Sequence, residues 1–301
     1  MEPGLTCVIT TIQEPTASVL GIMRALSRRS PAGKLIAIGD QKGPRQFDLP
    51  NADFYSLDRQ RELPFSLAGL LPTKHYARKN LGYLIAMKEG APVIYETDDD
   101  NAPLDAWKPL PRTAQAIRIG GQRWFNVYRL FSDELIWPRG MPLDRVRDAG
   151  TYSYDASTKA TAIDSPIHQG LADLAPDVDA VWRLILDHDF TFRPGPSILL
   201  DPGTWCPFNS QNTWWWPAAY QLMYLPSYCS FRMTDIWRSF IAQRCLWETG
   251  AGVVFHQADV EQQRNAHNLM RDFMDEVPGY EGNQRLIDVL RETKLQGGPA
   301  N

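Results

Sequence analysis

Three consecutive aspartates, Asp98, Asp99 and Asp100, directly follow the apolar run at residues 92–95. Adjacent carboxylates repel one another, so a protein that places them after a buried strand must supply a cation or leave them in solvent. Residues two apart in an extended segment point the same way, which would let Asp98 and Asp100 share a Mg²⁺ or Mn²⁺ ion with a diphosphate. An isolated acidic run favours a solvated turn, whereas the preceding strand favours a metal site.

Two further charged groups stand near the ends of predicted elements. Asp40 and Lys42 lie in a turn after the apolar run 34–38, where a carboxylate can bond a nucleobase or ribose. An aspartate that bonds its own backbone is the alternative, and the residues alone favour it. Arg78 and Lys79 open a predicted helix, where cations oppose the helix dipole unless a phosphate is bound. A phosphate site and a solvated helix start are about equally favoured there.

The last third of the chain contains other candidate ligands. A late histidine, His256 or His267, would complete a metal site, and Arg264 would bind a phosphate with its planar guanidinium. A capped helix start and a surface arginine are the alternatives. Asp235 opens another predicted helix, either as its N-cap or as a general base that meets an acceptor hydroxyl.

Three adjacent tryptophans, Trp214, Trp215 and Trp216, form an aromatic run. Three successive indoles cannot all pack into a core on one face. We therefore expect at least one to offer a flat apolar platform to a sugar and the others to be buried.

The elements that must position these residues follow a βα alternation in the first half of the chain. Such an alternation predicts a mostly parallel sheet flanked by helices, with ligands at the carboxyl ends of the strands. The irregular stretch 101–176 predicts long ordered loops. The predicted strands cover 5–11, 34–38, 53–56, 92–95, 197–200 and 252–256, and the predicted helices cover 17–26, 77–89, 178–186, 235–249 and 267–276.

Bulk composition restricts the class of protein. Hydrophobic residues make up 44% of the 301 residues and charged residues 22%, as in a folded soluble protein. A net charge of -4 gives no broad attraction to nucleic acid or anionic lipid. The four dispersed cysteines suggest neither a zinc site nor a disulfide framework, and no apolar stretch is long enough to span a bilayer. A cytoplasmic location is the expectation.

The ordered motifs resemble those of the STELLO-type glycosyltransferases, from about residue 7 to about residue 275. Their order and spacing make the resemblance more specific than any single motif. The matching segments are Val8-Ile9-Thr10-Thr11-Ile12, Gly39-Asp40-Gln41-Lys42, Ala77-Arg78-Lys79-Asn80-Leu81-Gly82-Tyr83, Tyr95-Glu96-Thr97-Asp98-Asp99-Asp100-Asn101, Trp137-Pro138-Arg139-Gly140 and Thr234-Asp235-Ile236-Trp237-Arg238.

This resemblance implies a GT-A fold, a Rossmann-like α/β domain that binds a nucleoside diphosphate sugar through an Asp-x-Asp element and a divalent cation. The residue roles that it implies are expectations. Thr10, Thr11 and Asp40 would frame the base and ribose, Arg78 or Lys79 would bind the diphosphate, and Asp98 to Asp100 would bind ribose and metal. From the residues alone we add Lys42 and Arg264 as cofactor ligands, and His267 as a metal ligand beside Asp98 and Asp100.

Residues 139–142 also resemble a loop of the plant UDP-arabinopyranose mutases that lies near the sugar, which makes Arg139 a candidate catalytic residue beside Asp235. Met141 stands where those mutases have an aromatic residue.

The sequence therefore predicts a metal-dependent glycosyltransferase that moves a sugar, preferably from a UDP-sugar, to a hydroxyl acceptor. It predicts one domain over 1–295, with a nucleotide-binding half (1–100), an acceptor half (101–295) and a flexible tail (296–301). A nucleic acid acceptor is disfavoured by the acidic charge balance. A UDP-sugar mutase and a non-catalytic nucleotide-sugar or glycan-binding module are the alternatives.

Overall fold

The computed structural model describes residues 4–44, 47–155, 157–265 and 268–295. These residues form a mixed α/β fold with one large central sheet. Its strands are β1 (Leu5–Thr11), β2 (Lys34–Gly39), β3 (Ala52–Tyr55), β4 (Val93–Thr97), β5 (Asn101–Pro103), β6 (Thr113–Ile119), β7 (Thr161–Asp164), β8 (Ile167–Asp173), β9 (Ser197–Leu200), β10 (Asn212–Trp215) and β11 (Val254–Gln262). They lie in the order β3-β2-β1-β4-β10-β8-β11-β9-β6-β7, and β5 pairs with β11.

The first four strands agree with the predicted βα pattern. β3, β2, β1 and β4 are all parallel neighbours, and apolar side chains fill both faces of β1 and β4. Strands that are buried on both faces appear in a sequence as continuous apolar runs, so these strands could be predicted from the sequence. Asp98 follows β4 directly.

The prediction of a mostly parallel sheet is wrong. β10 runs antiparallel between β4 and β8, and antiparallel pairs also join β9 and β5 to β11 and β7 to β6. Parallel neighbours need a long crossover, usually helical. Between residues 101 and 176 the described chain instead forms β5, β6, β7 and β8, where long loops were expected.

The described helices are α1 (Ala17–Arg29), α2 (Leu57–Arg61), α3 (Lys79–Lys88), α4 (Ala180–Leu186), α5 (Thr234–Trp247) and α6 (Leu269–Glu292). Short 3₁₀ turns at Tyr76–Arg78 and Phe231–Met233 precede α3 and α5. α6 continues well past the predicted end at residue 276, through Pro278, and contacts α4 and α5. Tertiary packing thus overrides the local penalty of an internal proline.

All three residues of the tryptophan run are buried, so the predicted sugar platform is wrong. Successive side chains of a strand point to opposite faces. Trp214 packs against Tyr95 and Trp107 on one face of the sheet, while Trp215 packs against Phe208 on the other. Both faces are covered at β10, so both indoles belong to the core.

Within the described residues, we find no helix that is long and apolar enough to cross a membrane.

We expect two buried histidines, which are held neutral inside the fold, to contribute a loss of stability as pH falls from 7 to 5. His256 Nε2 lies 3.0 Å from His168 Nδ1, and His256 Nδ1 lies 2.7 Å from Ser197 Oγ. Burial lowers the pKa of His256 to about 4 and the pKa of His168 well below its usual value. At these two sites the unfolded chain therefore takes up more protons than the folded chain between pH 6.5 and 4.

This linkage predicts that His256 alone accounts for a loss of about 2 kcal/mol of unfolding free energy between pH 7 and pH 5. Urea unfolding of the wild type and of His256→Gln at both pH values measures that contribution, because the change in unfolding free energy between the two pH values should differ by about 2 kcal/mol between the proteins. His188→Gln is the control, since His188 is exposed. An unchanged slope in His256→Gln would contradict the assignment.

Candidate functional site

A cleft opens beyond the carboxyl end of β4. It contains about 630 Å³ of empty space, part of which is open to solvent, and clefts of this size suit small-molecule ligands. Charged side chains dominate its walls, including four arginines and three aspartates. Its lining residues are Tyr76, Asp98, Arg139, Pro176, Asp177, Val178, Arg183, Asn209, Ser210, Gln211, Phe231, Arg232, Asp235, Gln262 and Arg264.

The three carboxylates of the aspartate run point to different partners. Asp99 and Asp100 form a turn rather than an extended segment, so the expected alternation of side chains does not apply. Asp98 lines the cleft, whereas Asp99 Oδ2 accepts a 2.6 Å hydrogen bond from Thr11. Asp100 accepts bonds of 3.0 and 3.1 Å from the amide of Gln262, which itself lines the cleft.

Asp100 is the member of the run whose ionisation is most perturbed. Burial, followed by the nearby charge of Asp98, raises its pKa to about 7. Burial also raises the pKa of Asp99. The acidic run thus holds its negative charge at a free-energy cost that a bound cation would reduce.

A line of close polar contacts joins Asp98 to Asp235 along the cleft. Tyr76 Oη donates to Asp98 Oδ1 at 2.5 Å and lies 2.6 Å from Ser210 Oγ. Ser210 Oγ donates to Asp235 Oδ2 at 3.1 Å, and its backbone N–H donates to the same oxygen at 3.2 Å. Lys79 Nζ joins the line at Tyr76 (2.7 Å) and Asp98 (3.0 Å).

Asp235 does not cap α5, since its carboxylate faces the cleft and binds Arg139 Nη2 at 3.0 Å. The Arg139 guanidinium also forms a bidentate pair with Asp177, at 2.8 and 2.9 Å. Burial disfavours the charged form of Asp235, but Arg139 outweighs it and lowers the pKa of Asp235 to about 2. Asp235 is therefore a fixed negative charge and a weak proton acceptor at neutral pH.

The backbone at Gly140 holds Arg139 in this position. Gly140 has φ +93°, and a Cβ atom built there would lie 2.4 Å from Cγ2 of Ile236, next to Asp235.

We expect Gly140→Ala to lower the unfolding free energy by about 2–4 kcal/mol, from left-handed strain and overpacking together. Gly203→Ala is the matched control, because Gly203 has φ +95° but no atom within 4 Å of the added carbon. Equal losses in denaturant unfolding of the two variants would contradict this account.

A buried ion pair supports the floor of the cleft. Arg238 of α5 binds both oxygens of Glu96 of β4, at 2.8 and 2.9 Å, and both side chains are at most 1% exposed. Tyr83 and Trp215 also donate to the Glu96 carboxylate. This network ties α5, which carries Asp235, to the strand that carries Asp98.

Two adjacent residues predicted to bind phosphate lie in different environments. Lys79 is fully buried, with its ammonium on Asp98. Arg78 is directed away from the cleft, where it binds Gln60 and the carbonyls of Leu71 and Pro72. Consecutive helical residues differ by about 100° in direction, which separates the two side chains.

The residues predicted to frame the base lie at the ends of β1 and β2. Thr11 is tied to Asp99, and Thr10 is half-buried. Asp40 accepts hydrogen bonds from the backbone of Gln41 (2.7 Å) and His75 (3.2 Å), which agrees with its alternative role as a turn residue. Lys42 is exposed in the same turn.

The two late candidate ligands within the described residues, Arg264 and His256, have different partners. Arg264 lines the cleft and binds Asp272 at 2.9 Å. His256 has both ring nitrogens engaged, with Ser197 and His168. His267 and the predicted flexible tail, 296–301, lie outside the described residues.

No group of three or more histidine, cysteine or acidic side chains is arranged around a common metal position in the part of the chain that the structure describes. A magnesium-type ion does not require such a group. It usually keeps several waters and binds one or two carboxylates plus substrate phosphates. The oxygen ligands available at Asp98 and Asp100 are of the type that such ions prefer.

Comparison with known proteins points to one family. The family model described as STELLO glycosyltransferases matches residues 232–299. The chain is 28% identical over 277 residues to "Probable glycosyltransferase STELLO2" of Arabidopsis thaliana, across 85% of this chain and 35% of that protein. It is 30% identical over 243 residues to "Probable glycosyltransferase STELLO1" of the same plant, across 74% of this chain and 31% of that protein.

The matched family and both relatives are named as glycosyltransferases. The chain is STELLO-like, which confirms the resemblance predicted from the motifs. It spans about a third of the length of these two relatives. The predicted similarity to the plant mutases is not supported by these matches, and Met141 is buried.

Proposed function

We propose that this chain is a metal-dependent glycosyltransferase that moves a sugar from a nucleoside diphosphate sugar, preferably a UDP-sugar, to a hydroxyl acceptor. The observation that carries the proposal is the line of close polar contacts from Asp98 through Tyr76 and Ser210 to Asp235. It places two carboxylates from distant parts of the chain on one cleft at the strand ends, where α/β folds bind ligands.

The donor would lie across the parallel strands β2, β1 and β4, which is the arrangement expected of a GT-A fold. Thr10, Thr11, Asp40 and Lys42 lie at the strand ends where a base and ribose would bind. Asp98, with Lys79 behind it, marks the position of the diphosphate. The proposed domain covers residues 1–295, with its acceptor half beginning after the aspartate run.

Asp98 and Asp100 would hold a Mn²⁺ or Mg²⁺ ion. The raised pKa of Asp100, caused by burial and by Asp98, supports this choice because a cation would reduce both effects. When bound, the ion would neutralise charge on the diphosphate. The protein would supply two carboxylates, and diphosphate oxygens and water would complete the coordination.

Transfer breaks the bond between the anomeric carbon and a diphosphate oxygen and forms a bond from that carbon to the acceptor oxygen. The nucleoside diphosphate leaves with the bonding electrons, and the proton of the acceptor hydroxyl passes to a diphosphate oxygen or to solvent. Asp235 would accept a hydrogen bond from the acceptor hydroxyl and orient it. Its low pKa favours orientation over full proton abstraction. Arg139 would act as a positioning residue, because its donors are bound to Asp177, Asp235 and the carbonyl of Arg232.

Phe231 offers the apolar surface that the tryptophan run does not. Its ring is half exposed, lines the cleft and makes edge contacts with Tyr76 and His75. Aromatic faces bind the apolar side of a sugar ring. Phe231 is thus a candidate platform for the transferred sugar or the acceptor.

The experiment that tests the proposal is UDP release from a panel of UDP-sugars by the purified protein, with Mn²⁺, with Mg²⁺ and with a chelator. We expect metal-dependent release, and its loss in Asp100→Ala while the circular dichroism spectrum stays unchanged. Interconversion of sugar-nucleotide isomers without an acceptor would indicate a mutase. Nucleotide binding without turnover over a broad acceptor screen would indicate a binding module. Either outcome would overturn the proposal.

A further inference from the structure

The cleft has a basic side as well as an acidic one. Arg183 of α4, Arg232 of the 3₁₀ turn before α5, and Arg264, which follows β11, all line it. Each guanidinium is held by one acidic side chain. The pairs are Arg183–Asp187 at 3.2 Å, Arg232–Glu276 at 2.7 Å and Arg264–Asp272 at 2.9 Å.

These ion pairs do not use all the donors of the three arginines. Arg264 binds Asp272 through Nη2, and its Nε and Nη1 make no hydrogen bond within the described chain. Arg232 binds Glu276 through Nε and Nη2, and its Nη1 makes no hydrogen bond within the described chain. Their side chains are 20% and 16% exposed, which makes these donors reachable from the cleft. Burial and the like charges of Arg183 and Arg232 lower the pKa of Arg264. A bound anion would reduce that repulsion and use the remaining donors.

A second cavity adjoins the first on this side. It contains about 880 Å³ of empty space, part of it open to solvent, and shares Arg183, Gln262 and Arg264 with the cleft. Its other walls carry carboxylates and amides, groups that hydrogen-bond well to hydroxyls. These polar residues are Asp187, Asp189, Gln263 and Asn265. Asp98, Tyr76 and Asp235, which form the proposed reaction site, line only the first cavity.

We propose that the acceptor is an anionic saccharide, whose carboxylate or phosphate group is bound by Arg183, Arg232 and Arg264 at the junction of the two cavities. Its hydroxylated part would occupy the second cavity, and its reacting hydroxyl would reach Asp235 in the first. The inference rests on the proposed function, because it specifies the acceptor of that transfer. It assigns the three arginines to the acceptor rather than to the diphosphate of the donor.

Isothermal titration calorimetry tests this assignment with protein that is saturated with UDP and Mn²⁺. The probes are glucuronate, glucose 6-phosphate, glucose and inorganic phosphate. We expect at least one anionic sugar to bind about tenfold or more tightly than glucose. Arg264→Gln should weaken that binding about tenfold, and UDP affinity should change less than about twofold. Arg118→Gln is the matched control, since Arg118 pairs with Asp201 and lines neither cavity.

The remaining outcomes distinguish a carboxylate from a phosphate group on the acceptor. They also distinguish failure of the anion site from failure of the proposed donor site. If only the sugar phosphate or only glucuronate binds tightly, the acceptor class is narrowed and the inference stands. If UDP displaces phosphate and Arg264→Gln weakens UDP about tenfold, the arginines bind the donor and the inference is overturned. Equal binding of glucose and both anionic sugars also overturns it. If UDP does not bind but the anionic sugars still bind through Arg264, the proposed donor site fails and the anion site stands.

Discussion

Replacing Asp98 by asparagine is expected to lower kcat/KM for UDP-sugar turnover by about 10³-fold. The substitution keeps the size of the side chain but removes the charge that we propose to bind the cation. Loss of metal-ion stabilisation costs several kcal/mol, and each 1.4 kcal/mol is a factor of ten in rate. It also removes the charge partner of buried Lys79, so the variant should melt at a lower temperature than the wild type.

Steady-state kinetics at saturating Mn²⁺ measure this effect at a temperature well below the melting point of the variant. Asp105→Asn is the control, because Asp105 is exposed outside the cleft. It should change activity less than twofold. Activity of folded Asp98→Asn within tenfold of the wild type would contradict the assignment of Asp98.

The second large effect is on stability. We expect Arg238→Met to lower the unfolding free energy by about 3–5 kcal/mol, because it leaves Glu96 as a buried carboxylate without its cation. Glu96 is fully buried, and the hydrogen bonds from Tyr83 and Trp215 alone would have to stabilise its charge. Denaturant unfolding monitored by tryptophan fluorescence measures the loss.

A double variant distinguishes an unpaired charge from lost packing. Glu96→Gln combined with Arg238→Met removes both charges and should recover part of the loss, since replacing a whole buried pair costs less than breaking it. If the losses of unfolding free energy in Arg238→Met and in Glu96→Gln simply add up to the loss in the double variant, the two residues are not coupled. That result would reject the ion pair as the main connection between α5 and β4.

The parallel half of the sheet could be predicted because its strands are buried on both faces. β1, β2 and β4 appear in the sequence as short apolar runs, each followed by a polar turn. The second half of the sheet could not be predicted in the same way. β6 carries interrupted apolar residues, and β10 is an aromatic run that also suits a ligand platform. Its pairing with β4 depends on contacts between distant segments, which local patterns do not contain.

In the candidate site, too, some residues could be predicted from the sequence and others could not. Asp98, Asp235 and Arg264 lie on the cleft, and each of them was predicted from the sequence to bind a ligand or to act on one. Tyr76 and Ser210 were missed, because a single tyrosine or serine has no distinctive spacing. A usable signal existed for Tyr76, which stands three residues before Lys79 and therefore faces the same way at the start of α3.

The aspartate run and the Arg78-Lys79 pair were found as motifs, but the direction of each side chain was not predictable from the sequence. Because Asp99 and Asp100 form a turn, the three carboxylates bind different partners and do not alternate as in an extended segment. The helical rotation between Arg78 and Lys79 directs only Lys79 to Asp98. Residue type thus indicated the chemistry, while backbone geometry decided which residues reach the cleft.

The most direct test of the central proposal is calorimetric titration of the purified protein with UDP, in the presence of Mn²⁺ and in the presence of a chelator. We predict saturable binding with Mn²⁺, at least about tenfold weaker binding with the chelator, and loss of the metal effect in Asp98→Asn. Absence of UDP binding in the presence of Mn²⁺ would contradict the account.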